Sequence, residues 1–169
     1  CSSTRARAWA PTATTTCPTS SRAPVARGLG VDLVHLPAFA EQVDQPGSRF
    51  LQGVLTPREA RRVRARAAAT CPADPSSAFA RHAGGLWAAK EAFVKAWSAA
   101  LYASPPPVDP QDVDWREIEV VFDAWNRPAL RLHGRIGREY GASFDGPRPD
   151  LLVSISHDGD YAIAEVLIG

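Results

Sequence analysis

The stretch between Ala78 and Ala100 has the longest regular pattern in the chain, and it limits the fold more than any other feature. Its large apolar residues recur every three or four positions. They are Phe79, Leu86, Trp87, Phe93, Val94 and Trp97. This spacing predicts a long helix that is largely buried on one side. The run Ser104-Pro105-Pro106-Pro107 ends the helical pattern, because proline cannot continue a helix.

The segments before this helix predict a strand and two further helices. Leu29, Val31, Leu33 and Val34 predict a short buried strand, because large apolar and β-branched residues favour strands. Pro37 can open a helix directly after it. Thr56-Pro57-Arg58-Glu59 has the pattern of a capping box and predicts a helix from Pro57 to about Ala69.

The segments after the long helix predict two β-hairpins with a short helix, Gly134 to Tyr140, between them. The expected strand pairs are Ile118 to Phe122 with Pro128 to Leu132, and Leu151 to Ser156 with Tyr161 to Ile168. Strands and helices do not alternate regularly along the chain. This order predicts an α+β fold in which a small antiparallel β-sheet packs against helices.

The first 27 residues differ in composition from the rest of the chain. They are mostly Ala, Thr, Ser, Pro and Arg, and they contain no acidic residue because the first one is Asp32. Such a segment buries too little apolar surface to offset its ordering entropy. We therefore expect a disordered N-terminal extension over residues 1–27 and one domain over 28–169. A transit peptide and the start of a mature lipoprotein remain open as alternatives.

The overall composition excludes several classes of protein. The chain is 45% hydrophobic and 22% charged, as in soluble globular proteins, and it lacks an apolar run of about 20 residues that could span a membrane. A net charge of +1 gives no general reason to expect a nucleic-acid partner. The three cysteines have neither the spacing of a zinc site nor an even number, which favours a reducing cytoplasm.

The two lysines of the chain lie within one short segment. Of the 19 basic residues, 17 are Arg, and the remaining two are Lys90 and Lys95, on either side of Glu91. On a helix, Glu91 and Lys95 share a face, so they could form an ordinary surface ion pair. Arginine would serve such a pair equally well. A compact ammonium that can contact phosphate or give up a proton favours a functional role instead.

Two further residues are candidates for chemistry. Asp32 lies within an otherwise apolar strand, where a buried carboxylate needs a cation or backbone donors; it could also simply cap the helix that follows. His157 ends the segment Val153-Ser154-Ile155-Ser156-His157, and a histidine at a strand end can be functional or merely solvated. We assign no role to the other three histidines.

Three motifs together resemble those of the holo-acyl-carrier-protein synthase family of 4′-phosphopantetheinyl transferases. They are Gly28-Leu29-Gly30-Val31-Asp32-Leu33-Val34, Trp87-Ala88-Ala89-Lys90-Glu91-Ala92 with Lys95-Ala96, and Val153-Ser154-Ile155-Ser156-His157. Their order and spacing agree with the family over about residues 28–168. One departure is Leu86, where many members have an arginine that contacts phosphate; Arg81 could supply that contact.

The resemblance implies transfer of 4′-phosphopantetheine from coenzyme A to a serine of apo-acyl carrier protein, with release of adenosine 3′,5′-bisphosphate. Asp32 and Glu91 would hold Mg²⁺, in keeping with its preference for carboxylates and phosphate oxygens. Glu91 would act as the base, and Lys90 and Lys95 would contact phosphate, with Lys95 also stabilising the leaving group. Ser156 and His157 would also contribute to coenzyme A binding. The family is typically a homotrimer.

The helix expected after Thr56 carries a stripe of arginines. It consists of Arg58, Arg61, Arg62, Arg64 and Arg66. Such a stripe could dock the acidic carrier, in which case charge reversal at Arg62 or Arg66 should weaken carrier binding and spare coenzyme A. It could also be an ordinary solvated face, or a nucleic-acid-binding surface. A metal-dependent hydrolase of the coenzyme A pyrophosphate is a further alternative.

Overall fold

A computed structural model describes residues 25–71 and 73–169, and it contains the elements that the sequence predicts. The order is β1 (Gly28–His35), α1 (Leu36–Asp44), α2 (Phe50–Val54), α3 (Pro57–Thr70), α4 (Pro75–Ala100), β2 (Ile118–Phe122), β3 (Pro128–Leu132), α5 (Gly134–Ala142), β4 (Leu151–Asp158) and β5 (Tyr161–Ile168). Two short 3₁₀ turns, Pro110–Asp112 and Trp115–Glu117, precede β2. The sequence analysis did not anticipate α2.

The predicted disorder of the N-terminal extension falls mostly on residues 1–24, which lie outside the described residues. The N–H of Arg27 donates to the carbonyl of Ile168 over 2.7 Å, so the chain contacts the sheet one residue before β1 begins. The boundary between an extension and a domain stays a prediction.

Two antiparallel sheets and the helix α4 define the architecture. The first sheet has the strand order β1-β5-β4, and the second is the β2-β3 hairpin. Helix α4 is 26 residues long and lies against the first sheet, where its alanines and Phe93 are buried. The predicted α+β fold with a small antiparallel sheet is confirmed. None of the described helices is both long and apolar enough to cross a membrane.

The prediction that Leu29, Val31 and Leu33 are buried is wrong. They are 51%, 44% and 59% exposed, whereas Gly28 and Gly30 face inward. Alternate residues of a strand point to opposite faces of the sheet. A Cβ atom on Gly30 would overlap the backbone of Ala92 in α4, so the glycines allow the helix to approach, and the large apolar residues lie on the outer face.

The predicted capping box of α3 is confirmed. The hydroxyl oxygen of Thr56 accepts from the N–H of Glu59 over 3.1 Å, and Oε2 of Glu59 accepts from the N–H of Thr56 over 2.7 Å. Two N–H groups that the helix start leaves without a partner are satisfied in this way. Helix α3 therefore begins where the local sequence predicts.

Candidate active site

Asp32, Glu91 and Lys95 lie together at the β1 edge of the sheet. Asp32 is on the helix-facing side of this edge strand, and its Oδ1 accepts from Nζ of Lys95 over 2.7 Å. Partial burial and the negative charge of Asp32 raise the pKa of Glu91, while Lys95 opposes this shift. The side chains of Lys95 and Asp32 are 51% and 14% exposed, so both can reach a ligand.

This carboxylate pair fits a hard divalent cation that is shared with a phosphate ligand. Mg²⁺ is usually bound by one or two carboxylates together with phosphate oxygens and water. The mutual repulsion that contributes to the raised pKa of Glu91 would be relieved by a cation between the two carboxylates. Among the described residues no cluster of three or more His, Cys, Asp or Glu side chains could hold a metal alone, so such a cation would need oxygens from its substrate.

Lys90 does not join this site, contrary to the predicted phosphate contact. Its side chain is fully buried, and Nζ donates to the carbonyls of Val54 and Trp115 and to Oε2 of Glu59 at 2.6, 2.9 and 2.9 Å. An ammonium has three protons to donate, and all three are used. Lys90 is therefore excluded from the proposed phosphate-binding residues.

The buried pair of Lys90 and Glu59 connects several elements of the fold. Besides Lys90 and its own cap, Glu59 accepts from the N–H of Val120 in β2 over 2.8 Å. Burial lowers the pKa of Lys90, and the charge of Glu59 opposes that shift. The pair thus joins α3 and β2 to α4, one residue before Glu91.

A cationic cleft with a volume of about 200 Å³ lies on the other side of α4. Helix α3, helix α4, the β2-β3 hairpin and β4 all contribute to its wall. The polar residues that line it are Arg62, Arg66, His82, Asn126 and His157, and the apolar ones include Leu86, Phe122 and Ile155. Two arginines and two histidines without a lining carboxylate favour an anionic ligand.

The contacts of His157 and Arg62 give the cleft a defined geometry. Nε2 of His157 lies 3.0 Å from the carbonyl of Arg81, and burial lowers the pKa of this imidazole. The guanidinium of Arg62 stacks over the ring of Phe122 at 4.0 Å and donates to Asn126. Arg81 itself donates to the carbonyl of Gly159 and does not line this cleft. The phosphate contact that we expected from it, in place of the family's arginine at position 86, stays a prediction.

The sequence analysis assigned no role to His82, and it expected Ser156 to contribute to coenzyme A binding together with His157. His82 lines the cleft, and its pKa is lowered by burial and then by Arg66. Only its distance from Leu86, one turn of a predicted helix, could have indicated this. Ser156 is exposed and pairs with Ile163, so it lies on the outer face of the sheet, opposite to His157. Its predicted role in coenzyme binding stays a prediction.

The carboxylate edge and the cleft lie on opposite sides of α4 within one chain. Glu91 follows His82 by nine residues, or about two and a half helical turns. Asp32 and His157 belong to the two edge strands of the sheet, which are about 10 Å apart across the central strand β5. One copy of the chain therefore presents two separate features, the carboxylate pair with Lys95 at the β1 edge and the cationic cleft.

Comparison with known proteins identifies the class to which this fold and these residues belong. The model of the 4′-phosphopantetheinyl transferase superfamily matches residues 28–164. The holo-[acyl-carrier-protein] synthase of Corynebacterium glutamicum is 44% identical over 143 residues, which cover 83% of this chain and 96% of that protein. The enzyme of the same name from Mycobacterium tuberculosis is 45% identical over 141 residues, covering 83% and 95%.

A solved structure agrees with these sequence relatives. The complex of a synthase from Chronobacterium ammoniagenes with coenzyme A superposes with a TM-score of 0.72 at 45% identity, and it covers 83% of this chain and 95% of that one. The chain belongs to the 4′-phosphopantetheinyl transferase superfamily. Within it, the relatives place the chain among the holo-[acyl-carrier-protein] synthases. The resemblance inferred from the three motifs and the predicted enzyme class are confirmed.

Proposed function

We propose that this chain transfers the 4′-phosphopantetheine group of coenzyme A to a serine hydroxyl of an apo-acyl carrier protein, in the presence of Mg²⁺. The observation that carries the proposal is the cluster of Asp32, Glu91 and Lys95 at the β1 edge. It combines two carboxylates for a metal with an exposed ammonium for phosphate. The relatives named above supply the reaction, because this geometry alone would also suit other phosphate chemistry.

The reaction needs one base and stabilisation of charge on phosphate oxygens. The serine oxygen bonds to the phosphorus nearer the pantetheine, the bond from that phosphorus to the bridging oxygen breaks, and adenosine 3′,5′-bisphosphate leaves. Glu91 in its ionised form accepts the serine proton. Lys95 turns from Asp32 to the leaving phosphate. When bound by Asp32 and Glu91, Mg²⁺ would offset the negative charge of the pyrophosphate.

The cationic cleft suits the nucleotide end of coenzyme A, which carries a phosphate of its own. Arg62, Arg66, His82 and His157 supply positive charge or donors there, and Phe122 supplies an aromatic surface. Because the cleft and the carboxylates lie on opposite sides of α4, one coenzyme molecule is best served by the carboxylate edge of one copy and the cleft of another. A complete site then requires an oligomer, for which we propose the homotrimer typical of the family.

The outer face of the sheet supports such self-association. Six large apolar residues on this face are between 41% and 65% exposed in the single chain. They are Leu29, Val31, Leu33, Leu152, Tyr161 and Ile163. Adjacent exposed apolar residues of this number mark an interaction surface, and a second copy of the chain is the occupant that the two separated half-sites require.

We expect Leu33→Asp to dissociate the trimer and to abolish transfer, because a carboxylate would be buried among apolar residues at the interface. Light scattering after gel filtration measures the mass. The control is Tyr102→Asp, which alters a 90% exposed residue that follows α4 and does not belong to a strand, and should remain trimeric and active. A wild-type protein that is monomeric and fully active would contradict the proposal.

The arginines of α3 divide between two surfaces, which changes the expectation for carrier docking. Arg62 and Arg66 line the cleft, whereas Arg58 and Arg61 are exposed and do not line it. We propose that Arg58 and Arg61 contact the acidic carrier. The division also gives no continuous basic stripe for nucleic acid.

Charge reversal separates these two roles. Arg58→Glu with Arg61→Glu should raise the KM for the carrier about tenfold and leave the Kd of coenzyme A unchanged. Arg66→Glu should weaken coenzyme A binding, since it places a carboxylate in the cleft. Titration calorimetry with coenzyme A and steady-state kinetics with the carrier measure both effects. Equal effects of all three substitutions on coenzyme A would remove the assignment of Arg58 and Arg61.

Mass spectrometry of an apo-carrier protein tests the proposed activity directly. After incubation with this chain, coenzyme A and Mg²⁺, the carrier should gain one phosphopantetheine group, and adenosine 3′,5′-bisphosphate should appear in equal amount. Free phosphopantetheine with an unmodified carrier would instead indicate a hydrolase. A role in fatty-acid synthesis, which the family resemblance implies, and a cytoplasmic location stay predictions.

A further inference from the structure

Two consecutive glycines, Gly84 and Gly85, lie inside α4, and the second one has a specific neighbour. Glycine is among the least favourable residues in a helix interior, so a helix that carries two of them needs a reason. A Cβ atom on Gly85 would lie 2.8 Å from Nε2 and 2.9 Å from Cε1 of His157. A Cβ on Gly84 would instead meet Cδ2 of Leu36 at 2.7 Å, the movable end of an aliphatic side chain.

The imidazole of His157 occupies the space that Gly85 leaves. In a helix, the carbonyl of residue 81 accepts from the N–H of residue 85, and a side chain at position 85 would shield that carbonyl. Without one, Nε2 of His157 approaches the carbonyl oxygen of Arg81 to 3.0 Å. Because Gly85 has no side chain, the carbonyl oxygen of Arg81 is exposed as an acceptor, and Nε2 of His157 has room to approach it as the donor.

This contact determines which nitrogen of His157 can meet a ligand. A carbonyl oxygen only accepts hydrogen bonds, so Nε2 must carry a proton. Nδ1 has no hydrogen-bond partner in the part of the chain that the structure describes, and no buried side-chain nitrogen there lacks one. Nδ1 is therefore accessible to solvent, and His157 lines the cleft.

We propose that Gly85 is a positioning residue that holds His157 in the Nε2–H form, so that an anion in the cleft is bound through Nδ1 only when Nδ1 takes up a proton. This inference rests on the proposed function, because it names coenzyme A as the anion. Neutral His157 presents a lone pair at Nδ1, which repels phosphate oxygens. Protonated His157 presents a charge-assisted donor.

The charged groups around His157 favour protonation of this imidazole when an anion binds, and not before. Arg62 and Arg66 face the cleft from α3, and His82 faces it from α4, with Arg81 nearby on the same helix. Burial, and to a smaller extent Arg81, lower the pKa of His157, while the hydrogen bond to the Arg81 carbonyl opposes the shift. A bound phosphate would raise the pKa of His157, because it adds negative charge beside the imidazole.

The two glycines provide a matched pair of variants. Gly85→Ala and Gly84→Ala make the same chemical change in adjacent positions of the same helix, but only the first displaces His157. We expect Gly85→Ala to weaken coenzyme A binding about tenfold or more, as loss of a charged hydrogen bond does, and Gly84→Ala to change it less than about twofold. Titration calorimetry in buffers of different ionisation enthalpy should show proton uptake with the wild type and Gly84→Ala, and little with Gly85→Ala.

A His157→Ala background distinguishes positioning from general damage to the helix. Once the imidazole is absent, the Gly85→Ala substitution should have no further effect on coenzyme A affinity. Equal losses with and without His157, or wild-type binding without proton uptake, would overturn the inference. If the wild type bound no coenzyme A, the proposed function would fail. The ¹⁵N NMR spectrum of His157 would then decide: an Nε2–H tautomer that Gly85→Ala does not disturb refutes the positioning role.

Discussion

Glu91→Gln should reduce phosphopantetheine transfer by about 10²- to 10⁴-fold, the usual contribution of a general base, and it should leave the fold intact. The substitution keeps the shape of the side chain and its helix propensity. It removes the charge that, in the proposed mechanism, would accept the serine proton and share Mg²⁺ with Asp32. The carrier assay by mass spectrometry measures transfer, and circular dichroism measures the melting temperature.

Two further variants make this result interpretable. Glu41→Gln changes an exposed glutamate of α1 and should keep full activity. Lys95→Arg keeps the positive charge but replaces a compact ammonium with a planar group, so a contact with phosphate predicts a clear drop in rate. If Glu91 and Lys95 formed only a surface cluster, both variants would be almost silent. Full transferase activity in Glu91→Gln and Lys95→Arg would eliminate the proposed site.

Lys90→Met should lower the free energy of unfolding by about 3–5 kcal/mol, because it leaves the buried carboxylate of Glu59 without its cation. Nζ of Lys90 lies 2.9 Å from Oε2 of Glu59, and both side chains are at most 1% exposed. Lys95→Met, which breaks the partly exposed pair with Asp32, should cost less than about 1 kcal/mol. Urea denaturation of the two variants, five residues apart on one helix, measures the difference.

A double variant tests whether the uncompensated charge causes the loss. Lys90→Met combined with Glu59→Gln should be more stable than the sum of the two single changes predicts, because no charge is then left buried alone. The glutamine retains a carbonyl oxygen for one of the two N–H groups that Glu59 serves, those of Thr56 and Val120. Equal stability of Lys90→Met and Lys95→Met would show that the buried pair does not stabilise the fold.

For Lys90, Glu91 and Lys95, the local sequence predicts some of the site correctly and some of it wrongly. The scarcity of lysine favoured a function for Lys90 and Lys95 that arginine does not serve, over an ordinary surface ion pair. The helical spacing placed Glu91 and Lys95 on one face. Whether Lys90 reaches a ligand depends on the residues that pack against its side of α4. Its three hydrogen-bond acceptors belong to Val54, Glu59 and Trp115, which lie 25 to 36 residues away from it in the sequence.

The cleft could not be assembled from the sequence. His157 was a candidate because of its motif and Arg66 was part of the arginine stripe, but nothing in the local sequence places His82 or Arg66 beside His157. Their common location follows from the packing of α3 and α4 against β4 and the β2-β3 hairpin. The same packing separates Arg62 and Arg66 from Arg58 and Arg61, although all four belong to one helix.

The sequence by itself determined most of the elements and some of their ends, because these depend on residues that are neighbours in the chain. The capping box of Thr56 and Glu59 starts α3, and the β2-β3 strand bounds follow from alternation and turn residues. Only the tertiary structure decided that glycines, and not Leu29, Val31 and Leu33, face the core. From the sequence alone, either face of β1 could have packed against the core. The face that a strand buries depends on how closely another element approaches it, and here α4 comes so near that only glycine fits at position 30.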